Sequence, residues 1–131
     1  MSTSPVTVEV SIGELIDKMT ILEIKAERLT DPKKVANVMV ELEILRRAQE
    51  RVASELPGFE DLRDKLKRVN GRLWDIEDQI RDYDRRGEFG QSFVDLARSV
   101  YRSNDERAAL KRQINEMAGS RIVEEKSYTA Y

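Results

Sequence analysis

Between Phe59 and Tyr83 the apolar side chains fall at alternating intervals of three and four: Phe59, Leu62, Leu66, Val69, Leu73, Ile76, Ile80 and Tyr83. An α-helix turns once every 3.6 residues, so this spacing lays them all along one narrow stripe in a coiled-coil-like heptad rhythm. A strand would scatter them over both faces. A helix from Phe59 to Arg86 is about 40 Å long at the standard rise, whereas a compact globule of this chain length has a radius of gyration of about 14 Å. The expected fold is therefore all-α and elongated: an antiparallel helical bundle or a long helical hairpin.

The rest of the chain is punctuated to match. Ser11-Ile-Gly-Glu14 forms a capping box, in which Ser11 satisfies an early backbone N–H and Glu14 reaches back. From there Ile12, Leu15, Ile16, Met19, Leu22, Ala26 and Leu29 share one stripe, giving a helix over about 12–29. Asp31-Pro32 supplies a cap and a first-position proline for a second helix over about 32–55, with Val35, Val38, Leu42, Leu45, Val52 and Leu56 keeping its rhythm and Gln49 the one polar member. Pro57-Gly58 ends it. The third helix covers 59–85, and after Arg86-Gly87-Glu88 a fourth covers 89–118, closed by Gly119. Its first apolar stripe (Phe89, Phe93, Leu96, Ala97, Val100) is separated from a second (Leu110, Ile114, Met117) by Ser103 and Arg107 at positions that should be apolar. Either Ser103-Asn-Asp-Glu106 caps a new helix, or one unbroken helix carries buried polar groups that must be paired. The absence of Gly or Pro there favours the unbroken helix. The ends, 5–10 and 120–131, read as extended segments around a single helical domain, 1–131. Val6, Val8 and Val10 alternate with polar residues as in a strand.

With no Cys and no His, the chain has no disulfide, zinc site, thiol nucleophile or imidazole base to offer. Lys+Arg 23 against Asp+Glu 25 leave a formal charge of -2, and the basic residues interleave with acids rather than forming a stripe, so no nucleic-acid partner is expected. No apolar run has the length of a membrane span, and Met-Ser-Thr-Ser-Pro lacks the features of a signal peptide, so the expected setting is cytoplasmic, without membrane attachment.

The remaining chemistry belongs to carboxylates, basic residues and aromatics. Glu14 and Asp17 lie one turn apart, as do Asp75 and Asp78, and two such pairs facing each other across a bundle could hold Mg²⁺. Lys18, Lys25, Arg81, Arg98 and Arg107 could meet phosphate oxygens if the fold gathers them, and Trp74, Tyr101 and Asn104 would serve a sugar- or phosphate-binding surface. The same charges equally suit a solvated, ion-paired helix face, with Glu77 to Arg81 and Asp82 to Arg86 as four-apart pairs. Trp74 sits one residue off its seam, which widens the buried face or marks a contact. In the C-terminal segment, Glu124, Glu125, Lys126, Tyr128 and Tyr131 form a candidate docking tail. The metal requirement is left open.

Two blocks, Ser11-Ile-Gly-Glu-Leu-Ile-Asp-Lys18 with Ile21-Leu-Glu-Ile-Lys25, and Leu73-Trp-Asp-Ile-Glu-Asp78 through Asn104-Asp105 to Glu124-Glu-Lys-Ser-Tyr128, resemble a bacterial family of small helical proteins known only as a domain of unknown function. The resemblance spans nearly the whole chain. It implies a bacterial or phage origin, brings no activity with it, and marks these blocks as the places to look for a site.

The expected function is that of a non-catalytic helical interaction or scaffold module without a cofactor. It pairs with a second copy through Phe89, Phe93 and Trp74 and engages an unidentified protein partner. The alternative is a Mg²⁺-dependent enzyme or binding module acting on a nucleotide or sugar phosphate.

Overall fold

The computed structural model describes residues 4–52 and 56–131 and contains four helices: α1 (Ile12–Arg28), α2 (Pro32–Gln49), α3 (Phe59–Arg85) and α4 (Gln91–Ala118). Ser11 caps α1 by accepting from the Glu14 backbone N–H at 3.1 Å, and Asp31 caps α2 by accepting from that of Lys33 at 3.0 Å. The α3–α4 turn is closed by Gly87 at φ 69°, a conformation that a side chain would strain. No helix among the described residues is long and apolar enough to cross a membrane.

α3 and α4 form the long pair, and their contacts run in opposite order along the two helices: Gly58 lies beside Met117, while Arg72 donates from Nε to the Ser103 hydroxyl at 3.2 Å. α1 lies against both of them. α2 packs on α1 alone, so the helices stack in three layers with α1 in the middle. Ile16, Met19 and Leu22 of α1 meet Leu62, Leu66 and Val69 of α3 and Leu110 and Ile114 of α4 in one core, which Val38 and Leu42 join from α2. Phe59, at the first turn of α3, is wholly enclosed, which on its own contributes about 1.5–3 kcal/mol of apolar burial.

α2 stops at Gln49 rather than 55; Val52 belongs to a turn in which its N–H reaches the Gln49 carbonyl at 2.8 Å, and 53–55 lie outside the described residues. The reason is geometric. α2 folds back along α1, bringing Glu41 to 3.1 Å from Lys18, and its 18 residues already match the 17 of α1. A longer helix would have no surface left to cover. α4 likewise starts at Gln91, leaving Phe89 in the preceding turn at 58% exposure. The segments before Ser11 and after Ser120 are extended, without regular structure among the described residues, and Arg121 pairs with Glu9 where the two ends meet.

Candidate functional site

α4 runs unbroken through Ser103 and Arg107, so the two polar side chains at apolar positions are turned toward the other helices. Both are paired there. Ser103 is buried and takes the hydrogen bond from Arg72. Arg107 forks onto Asp17 of α1, Nε to one carboxylate oxygen at 2.9 Å and Nη2 to the other at 2.5 Å. Asp17 is 1% exposed, and a carboxylate that deep in the fold is tolerable only when its oxygens are occupied. Asn70 of α3 supplies the third hydrogen bond, from Nδ2 at 2.9 Å, and shares the same amide with the Thr20 hydroxyl at 2.9 Å. Thr20 in turn donates to the Asp17 carbonyl at 2.8 Å. The Asp17 hydrogen bond pushes the Arg107 pKa above its ordinary value, against the effect of burial. Three helices thus meet on one bidentate ion pair.

One turn further on, Lys111 places its ammonium between Glu14 of α1 and Glu124, 2.7 Å from each. Burial disfavours the charged form, but hydrogen bonds to Glu124 and Glu14 outweigh it, so the Lys111 pKa lies above the usual lysine value. Asn115 then accepts the Gly13 backbone N–H at 2.6 Å, satisfying one of the free donors at the start of α1. That contact brings the backbones of α1 and α4 together: a Cβ at Gly13 would sit 2.4 Å from the Lys111 carbonyl oxygen.

Gly119, at φ 66°, closes α4 and lets the chain reverse. The C-terminal segment returns along α4 and is fastened mainly by charge. Besides Glu124 on Lys111, Glu125 reaches Arg112 at 3.3 Å and Lys126 reaches Asp105 at 2.6 Å. Tyr131 ends the segment with its ring centre 5.0 Å from that of Tyr101 and the Arg102 guanidinium 5.5 Å away. Lys126 first, and the Tyr131 hydroxyl after it, hold the Asp105 carboxyl below its ordinary pKa; the same contact raises the Tyr131 phenol above its own. Between segment and helix lies a groove of about 750 Å³, lined by Tyr101, Asn104, Arg107, Lys111, Tyr128 and Tyr131 among others.

The fold therefore joins two groups of residues that the sequence suggests separately: Tyr101, Asn104 and Arg107 of the polar set, and Glu124, Glu125, Lys126, Tyr128 and Tyr131 of the tail, all line this groove. Asn104 and Arg107 also border a second cavity, of about 510 Å³, with Trp74, Asp78 and Arg81. Lys18, Lys25, Asp75 and Arg98 line neither cavity. Lys18 pairs with Glu41, and Asp75 with Arg28 at 2.5 Å. The acidic pairs Glu14–Asp17 and Asp75–Asp78 do not converge into a box for a cation. Glu14, Asp17 and Asp75 are each engaged by a basic side chain of another helix, and among the described residues no three acidic side chains group as metal ligands.

Sequence reasoning missed Gly13, Thr20, Asn70, Lys111 and Asn115. The available signal was an amide directly beside a seam residue, Asn70 after Val69 and Asn115 after Ile114, where a helix at the core needs a partner for it.

Neither a curated protein nor a solved structure matches the chain. A family model described as a family of unknown function (DUF6165) matches residues 6–131, and so takes in both the buried network and the C-terminal segment. The protein belongs to that family.

Proposed function

We propose that the chain is a non-catalytic helical module that binds a protein partner in the groove between α4 and the C-terminal segment. The observation that carries this reading is the lining of the groove. Three tyrosines face it, together with Asn104 and cations that already have carboxylate partners. Tyrosine offers a rigid apolar ring with a hydrogen-bonding tip, the combination favoured where proteins meet. Neutralised cations, by contrast, exert little net pull on a phosphate. The Mg²⁺-dependent alternative draws no support from the acids, since those lining the groove, Asp105, Glu124 and Glu125, are engaged by Lys126, Lys111 and Arg112.

Photo-crosslinking in the source organism tests the proposal, with a photoreactive residue placed at Tyr101, at Tyr128, or at the exposed Lys34 of α2. The expected result is one protein of defined mass captured from both groove positions and not from Lys34. Capture of nothing from the groove, or of the same proteins from all three positions, would refute it.

The reading includes a second copy of the chain. It is supported by the apolar side chains left uncovered: Met39, Val40 and Ile44 on α2, which touches α1 alone, and Phe89, which meets Phe93 edge-on at 5.2 Å. Trp74, grouped with the two Phe in the sequence reading, instead borders the second cavity. Light scattering at micromolar concentration is expected to give the mass of two chains; the mass of one would overturn the pairing.

A further inference from the structure

Beside the second cavity Asn70 carries a side-chain acceptor that no protein donor takes up. Asn70 is 6% exposed, and its amide nitrogen is committed to Asp17 and Thr20. That orientation is fixed by chemistry, because a carboxylate can only accept. The Asn70 carbonyl oxygen receives no hydrogen bond from any described side chain or backbone group. Every fully enclosed side-chain polar atom among the described residues is paired, so this oxygen is one that solvent reaches, and Asn70 lines the cavity.

The polar groups around it are of both kinds and carry opposing charges. Asp78 makes no ion pair or side-chain hydrogen bond with a described residue and offers acceptors only. Arg107 has spent Nε and one N–H of Nη2 on Asp17, which leaves further donors on its free edge. Arg81 is tied to Glu77 at 2.6 Å, and Asn104 adds an amide. An anion entering here meets the unpaired Asp78 and finds both guanidinium groups already engaged, by Glu77 and by Asp17. A hydroxyl both donates and accepts with no charge of its own, and a ring bearing several can serve donor-only and acceptor-only neighbours together. Trp74 supplies apolar ring surface at its edge, and Arg28, which engages the ring at 5.8 Å, lies outside the cavity. The volume of about 510 Å³ falls within the range of small-molecule sites, and Ile21, Leu73 and Trp74 are the apolar members of a lining otherwise polar.

We propose that this cavity binds a neutral sugar, with the C–H face of one ring against Trp74 and its hydroxyls shared among Asp78, Asn104, Arg107 and the Asn70 carbonyl. The site adjoins the tyrosine groove and shares Asn104 and Arg107 with it, while Trp74, Asp78 and Asn70 border this cavity and not the groove; sugar binding by the purified protein needs no partner there.

Trp74 is the only tryptophan in the chain, so its fluorescence reports the site directly. The experiment titrates the purified protein with glucose, galactose, mannose, N-acetylglucosamine and lactose into the millimolar range, with glucose 6-phosphate and glucosamine as charged counterparts. At least one neutral sugar should change the Trp74 emission saturably. Asp78→Ala and Asn104→Ala, checked for unchanged circular dichroism, should each weaken that binding about tenfold, the worth of one good hydrogen bond. A linear response to every sugar would overturn the proposal. So would affinity unchanged in both variants, or tighter binding of glucose 6-phosphate or glucosamine than of glucose.

Discussion

The contact between Gly13 and α4 predicts that one substitution will have opposite signs at two helical glycines. At Gly13 an added Cβ lies 2.4 Å from the Lys111 carbonyl oxygen and 2.8 Å from Asn115 Oδ1. Ordinary contact begins near 3.4 Å, so α1 must retreat by about 1 Å from a backbone that cannot rotate away. Overpacking of this kind costs about 1–3 kcal/mol, and the retreat weakens the Gly13-to-Asn115 hydrogen bond, worth about 1 kcal/mol. Against this stands the preference of a helix for Ala over Gly, up to about 1 kcal/mol. Gly13→Ala should therefore destabilise the protein by about 1–3 kcal/mol, which lowers Tm by about 3–12 °C in a domain of this size. At Gly71, in the middle of α3, the nearest atom to an added Cβ is the flexible end of Arg28 at 3.5 Å. There Ala should stabilise by about 0.5–1 kcal/mol. Urea denaturation followed by far-ultraviolet circular dichroism measures both. If Gly13→Ala falls within about 0.5 kcal/mol of wild type, the range of an ordinary surface change, the close approach of α1 to α4 is refuted.

Arg107→Met should cost about 3–5 kcal/mol, because it strands the Asp17 carboxylate in the core with Asn70 as its only side-chain donor; a cost near that of an exposed ion pair, below about 1 kcal/mol, would contradict the network. Asp17→Asn in the Arg107→Met background should recover part of the loss, measured as a double-mutant cycle, and additive losses would show the two residues to be uncoupled. The C-terminal segment should loosen at both ends of the pH range. The Asp105 pKa is depressed in the fold, so its contribution is present above the ordinary carboxylate value of 3.8 and is lost as pH falls through the lowered one. The Tyr131 pKa is raised, so its contribution is present below the ordinary phenol value of 10.0 and is lost as pH climbs through the raised one. The nuclear Overhauser contact between the Tyr101 and Tyr131 rings follows this loosening, and a contact undiminished at pH 2 would contradict it. Salt should have a similar effect at neutral pH, since screening shortens from about 10 Å at 0.1 M to about 3 Å at 1 M; limited proteolysis after Gly119 that ignores salt would rule that out.

What the sequence made legible was set by local periodicity. The seam of α3 is buried or half-buried at every position from Phe59 to Tyr83, as the alternating spacing demands. The interruption at Ser103 and Arg107 was legible too, because an unbroken helix forces polar groups at seam positions to find partners. Which partners they find was not legible. Asp17 and Arg107 are 90 residues apart, and in a chain where acids and bases alternate along every helix, pattern cannot single out one pair. The same limit explains why Glu14, Asp17, Asp75 and Asp78 suggested a cation box: spacing shows that two carboxylates share a face, not that a lysine or arginine of another helix lies opposite. Gly13 was hidden for a related reason. Inside Ser11-Ile-Gly-Glu14 it reads as part of a cap, and its packing role depends on a helix a hundred residues later. The helix ends were misplaced where tertiary contact ran out, as at Gln49, rather than where propensity changed.

The one-sided attachment of α2 divides the molecule into parts of unequal permanence. Swinging that helix outward would bare Val38, Leu42 and the flank of α1 they cover, yet leave the Asp17–Arg107 fork and the α3–α4 hairpin untouched. In a native-state exchange experiment α2 would accordingly be the first leaf to open, ahead of global unfolding.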